Sequence, residues 1–146
     1  MDAGRQISRR AFSRLACIAL SATAMVLASA AARAQDLVLP PYAYDMVTEI
    51  SYAMTAEAKC DGIATRPKKL QDYIVALYGQ LGTLGISALD AAKHFESNFA
   101  KAQIATRADA FRAKHDAAPD NDADFCRAVR FEAAQNDALA ALMKIR

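Results

Sequence analysis

The sequence predicts an all-α fold: a small bundle of four to five helices with one disulfide, preceded by a cleavable signal peptide. Three observations predict it. From residue 44 onward apolar residues recur at three- and four-residue spacing, and nothing alternates with period two over a strand's length. Pro, Gly and Ser fall where those periodic runs start and stop. Of the three cysteines, Cys60 and Cys126 lie within the periodic region and Cys17 lies ahead of it.

Residues 1–34 read as an address. Ser8 to Arg14, with Arg9, Arg10 and Phe12, has the form of a twin-arginine signal. Ala16 to Ala32 is a mildly apolar run, and Ala32-Arg33-Ala34 is a small-x-small site for cleavage between Ala34 and Gln35. The run is too short and too rich in Ala for a membrane anchor. Cys17 precedes it, which does not suit lipid attachment. The expectation is a periplasmic protein exported by the twin-arginine route, with no transmembrane segment in the mature chain.

Removing the leader changes the charge. Five arginines and Asp2 leave, so the balance moves from 18 − 16 = +2 to 13 − 15 = −2. No basic block of the kind a phosphate backbone requires remains, so nucleic acid is not an expected partner. Cys60 and Cys126, in an oxidising compartment, are expected to form a disulfide. The closed loop of about 67 residues corresponds to roughly 4 kcal/mol in the chain-entropy model.

Residues 35–43 are expected to form an extended, exposed arm, because Pro40-Pro41 forces an extended backbone. The helical domain then spans 44–146. Met46, Val47, Ile50, Met54 and Ala58 mark the core stripe of a first helix that Cys60 closes and Asp61-Gly62 ends. Arg66-Pro67 starts a second, with Leu70, Tyr73, Ile74, Leu77, Leu81 and Leu84 as its ladder. Ser87 with Asp90 resembles a capping box for the next helical stretch, Leu89 to about His115. At about 1.5 Å per residue that stretch would reach roughly 40 Å. A break is therefore expected between Ser97 and Thr106. Asp116 to Asn121 is a loop, and a last helix is expected from about Asp122 to Lys144, with Phe125, Cys126, Val129, Ala133, Leu139, Leu142 and Met143 inward.

The candidate chemistries fail on spacing. Asp120 to Asp124 resembles the opening of a calcium loop, but Phe125 stands where Gly must make the turn and Phe131 where Glu must chelate. Acidic residues at a helix start explain it better. His94 and His115 share no metal-ligand spacing, and their charged sequence neighbours suggest solvated positions rather than haem ligands. Ser51, Ser87 and Ser97 sit in no nucleophile elbow. Glu132 borders the Val129–Ala133 stripe and is expected to be partly buried, in a structural ion pair with Arg66 or Arg130.

The order of features over Ile50 to Arg146 resembles a family of small exported alphaproteobacterial helical proteins known only as a domain of unknown function. The resemblance rests on the helix ending in Cys60, the Leu84-Gly85-Ile86-Ser87 turn, the Phe95 helix, and Phe125-Cys126-Arg127 leading through Arg130 and Glu132 to Leu142-Met143-Lys144-Ile145-Arg146. It implies fold and compartment without a mechanism. The expected role is a non-enzymatic interaction or accessory protein with a periplasmic or membrane-protein partner and no catalytic residue, cofactor or metal. A small-ligand, haem or metal carrier is the alternative, and a hydrolase-type enzyme using Glu132 or a histidine the weaker one.

Overall fold

A computed structural model describes residues 37–146. The expected leader, with Arg9, Arg10, Phe12, Ala34 and Gln35, lies outside the described residues. Those described form six helices and one two-stranded ladder: α1 (Pro41–Lys59), β1 (Ile63–Thr65), α2 (Pro67–Thr83), α3 (Ala88–Phe95), α4 (Asn98–Lys114), α5 (Asp122–Ala133), α6 (Asp137–Leu142) and β2 (Met143–Ile145). The all-helical bundle with its Cys60–Cys126 disulfide is as the sequence predicts.

Helix α1 is the central element, packed against α2, α4, α5, α6 and β1. It begins at Pro41, three residues earlier than expected, because a proline at the first helical position forfeits only an N–H that has no helical partner anyway. The segment ahead of it is no exposed arm, since Leu39 is buried. Nor does the predicted stripe hold throughout. Met54 and Ala58 face solvent, while Ala43, Ala53 and Ala56 are fully enclosed. Small side chains on that face let several helix axes approach α1 closely, a reason for burial that hydrophobicity alone does not register.

Cys60 ends α1 in an extended conformation, and Gly62, at φ 75°, turns the chain into β1. β1 pairs antiparallel with β2 in the register Ile63↔Ile145, Ala64↔Lys144, Thr65↔Met143. Flanking amide bonds from Arg66 to the Leu142 carbonyl and from Arg146 to the Gly62 carbonyl, both 2.8 Å, extend the ladder. The expected absence of strands is thus corrected: three residues are too few to display an alternation.

Leu77 and Leu81 of the α2 ladder are buried, Leu70, Tyr73 and Ile74 are half-buried, and Leu84 is exposed on the turn at the end of the helix. Ser87 caps α3, accepting from the Asp90 amide and donating to its carboxylate. The break in the long helical stretch falls at Glu96-Ser97, at the first residue of the predicted window, where the Ser97 hydroxyl accepts from the Ala100 amide. Phe111 of α4 is buried, whereas Phe99 is half exposed.

The last helix is two. α5 stops at Ala133, and Asn136 caps α6 through the Leu139 amide, so the chain bends between them and then leaves helix altogether for β2. Asn121 caps α5 by accepting from the amides of Ala123 and Asp124. Asp122 and Asp124 occupy its first turn, which gives that acidic run its structural explanation. The core runs from Ala53 and Ala56 through Cys60, Ile63, Cys126 and Val129 to Leu139, Leu142 and Met143.

Candidate functional site

A groove of about 260 Å³ opens beside the middle of α1, between α1, α4 and the α5–α6 bend. Its geometry follows from helical spacing. Asp45, Glu49 and Tyr52 stand at i, i+4 and i+7 on one face of α1, and Arg107, Ala110, Phe111 and Lys114 line the opposing face of α4. Glu132 of α5, with Asn136 and Leu139, closes the third side. The floor is apolar and aromatic: the Tyr52 and Phe111 rings lie 4.4 Å apart at 33°. The rim is ionic.

Both cations of the rim are held by carboxylates. Arg107 donates to Asp45 at 2.6 Å and also to the Gln103 carbonyl, and its guanidinium lies 5.1 Å from the centre of the Tyr44 ring. Lys114 donates to Glu132 at 2.7 Å, and His115 Nε2 meets the same oxygen at 2.8 Å. Burial pushes the Glu132 carboxyl upward, yet the bonds and charges of Lys114 and His115 outweigh it and hold the group below its usual range. Burial chiefly drives Tyr52 up to about 12, opposed by Arg112 and assisted by Glu132 and Asp109.

Glu49 is held differently. The Tyr73 hydroxyl donates to its Oε2, and Asn136 Nδ2 donates to Oε1 at 2.8 Å. Among the described residues no cation pairs with it. Tyr73 is pushed above its ordinary value, by burial first and then by the Glu49 carboxylate it serves.

Several residues singled out in the sequence stand elsewhere. Glu132 is partly buried as expected, but neither named arginine is its partner. Arg130 is exposed and donates to the Asp61 carbonyl; Arg66 is exposed and contributes its backbone amide to the β ladder. Ion pairing across the bundle follows which faces oppose one another, and α5 turns Glu132 toward the end of α4. The histidines correct a second expectation, because His94 is 2% exposed and the His115 side chain 7%. Adjacent residues on a helix point about 100° apart, so Lys93 and Glu96 carry no information about the face of His94. That ring lies near Phe95 and Phe99, with Nε2 2.7 Å from the Tyr44 hydroxyl, and burial lowers its affinity for a proton. Its Nδ1 is buried without a hydrogen-bond partner among the described residues. Both histidines spend Nε2 on a protein group.

The serines are engaged locally as well. Ser51 donates to the Val47 carbonyl, and Ser87 and Ser97 cap helices. Among the described residues no three His, Cys, Asp or Glu side chains converge as a metal site, and no single helix is long and apolar enough to cross a membrane. The groove residues missed by sequence reasoning include Asp45, Glu49, Arg107 and Asn136. The one available signal was the spacing of Asp45, Glu49 and Tyr52, which reads equally well as a solvated face.

No curated protein and no solved structure matches the chain. The sequence profile of a family of unknown function, DUF5333, matches residues 35–144, a span that contains both disulfide cysteines and every residue of the groove. The chain therefore belongs to the DUF5333 family.

Proposed function

We propose that the protein is a non-enzymatic accessory protein of the periplasm, which docks part of another exported or membrane protein in the groove between α1, α4 and the α5–α6 bend. The observation that carries this reading is the groove's build: an apolar aromatic floor beneath an ionic rim whose cations are already held by carboxylates. Its volume of about 260 Å³ falls below the ~300–1,000 Å³ of pockets that enclose a whole small ligand. It suits one or two side chains presented by a partner. That favours docking over the carrier reading, in which a free small molecule occupies the same place.

Capture from the periplasm of the host tests the proposal. Ala110 is exposed on the groove wall, and Ala110→Trp fills the space from a position outside the packed core. The wild-type protein is expected to retain a specific partner after crosslinking, and Ala110→Trp to lose it. Equal retention by both proteins removes the groove from the interaction.

A further inference from the structure

The groove contains three carboxylates, Asp45, Glu49 and Glu132, against two cations, Arg107 and Lys114. Two acids are matched by those cations, at 2.6 and 2.7 Å, and the third is not. Glu49 is instead fixed by two neutral donors, Tyr73 from α2 and the α6 cap Asn136. Neutral donors satisfy the lone pairs of a carboxylate and fix its rotamer while leaving its charge in place. For stability alone a cation would serve a half-buried carboxylate better, since an uncompensated charge near apolar surface is costly. Asn136 performs two tasks with one amide: Oδ1 caps α6 through the Leu139 amide at 3.1 Å, and Nδ2 holds Glu49. The orientation of the carboxylate is thus built into the α5–α6 bend. Beside it on the same face of α1, Tyr52 stacks on Phe111, an aromatic surface of the kind along which methylenes pack.

We propose that this groove is a primary-ammonium site: Glu49 takes the ammonium group, and Tyr52 and Phe111 take the short apolar stem that carries it. The assignment rests on the docking reading above and specifies its chemistry. The occupant is a lysine side chain of the partner; a free aliphatic diamine presents the same group, and the probes separate the two.

The test is an amide-resolved NMR titration of the ¹⁵N-labelled, disulfide-bonded protein with 1,5-diaminopentane, with N-acetyl-lysine methylamide, and with the norleucine analogue that lacks the ammonium. Saturable shifts centred on Glu49, Tyr52 and Asn136 are expected with an amine probe and not with norleucine. A response to the diamine alone gives the groove to free amines and overturns the assignment. A response to the lysine probe, with or without the diamine, admits a partner's side chain. Glu49→Gln keeps an acceptor oxygen for Asn136 and sets its amide nitrogen against the Tyr73 hydroxyl, whose oxygen can accept from it, and is expected to weaken amine binding about tenfold or more, as loss of a charged hydrogen bond does. Should Glu49→Gln fail to fold, Ala110→Trp, which leaves Glu49 and its donors intact, is expected to abolish the shifts. No groove shift with either amine, a norleucine response equal to lysine's, or undiminished binding by a folded Glu49→Gln or Ala110→Trp overturns the proposal. The docking reading stands or falls separately, on partner capture.

Discussion

At the C-terminal end of α1, Cys60 is bonded to Cys126 and sits among Ala56, Ile63, Val129, Leu142 and Met143. At its N-terminal end, Tyr44 meets His94 through one polar contact, with Arg107 over the Tyr44 ring and a buried His94 nitrogen that has no partner among the described residues. The first end is covalent and apolar, and none of the residues just named titrates. The second relies on a histidine remaining neutral. One helix thus joins a region whose stability is indifferent to pH with one whose stability is conditional on it.

The largest expected effect comes from removing the covalent end. Replacing both Cys60 and Cys126 by Ala should lower stability by about 4 kcal/mol in the chain-entropy model, read by denaturant unfolding. A loss near zero would mean that the apolar packing holds this end without help. Leu139→Ala, at a fully buried site, should cost about 3 kcal/mol and should do so equally at pH 7 and pH 5.

The histidine end should behave otherwise. On unfolding, His94 regains its ordinary value of 6.5, while in the fold burial keeps it lower. The unfolded chain therefore binds more protons as pH falls below 6.5. Stability should be flat with respect to this group above that pH, and should decline from there toward the folded value. His94→Leu should remove this decline, and its persistence in unfolding curves across pH 7 to 5 would break the contrast between the two ends. Glu132 acts in a lower window. Its carboxyl is held below the ordinary 4.5, so its contribution is present above that pH and is lost as pH falls through the folded value. Glu132→Gln should cost about 1 kcal/mol at pH 7 and flatten the stability profile below pH 4.5 while sparing the His94 decline. Smallest of all, Arg66→Ala should change stability by less than about 0.5 kcal/mol, because the exposed residue serves the fold through its backbone.

Legibility in the sequence followed the range of the interaction. Caps were readable at Ser87, where side chain and amide lie three residues apart, and the Cys60–Cys126 pair followed from the expected compartment and the count. Ser97 and Asn136 are caps of the same local kind, yet the apolar period ran across them and suggested continuous helix. Burial of His94 was hidden because its partner, Tyr44, lies fifty residues away, on another helix. Glu132 was recognised as half-buried from its own stripe, but Lys114 and His115 became its partners only through the packing of α4 on α5. Glu49 was the least visible. Its significance lies in donors from two other helices and in the absence, among the described residues, of a paired cation.

The Cys60–Cys126 bond, with a sequence separation of 66, also makes a ring of the chain that contains all of α2, α3 and α4. The turn around Gly85 and the loop from Asp116 to Asn121 both lie on that ring and are largely exposed. A protease that cuts at either place opens the ring without releasing a fragment, since both halves remain tethered through sulfur. A nicked molecule would therefore run as one species until reduced, so that its integrity is reported by a reducing gel alone.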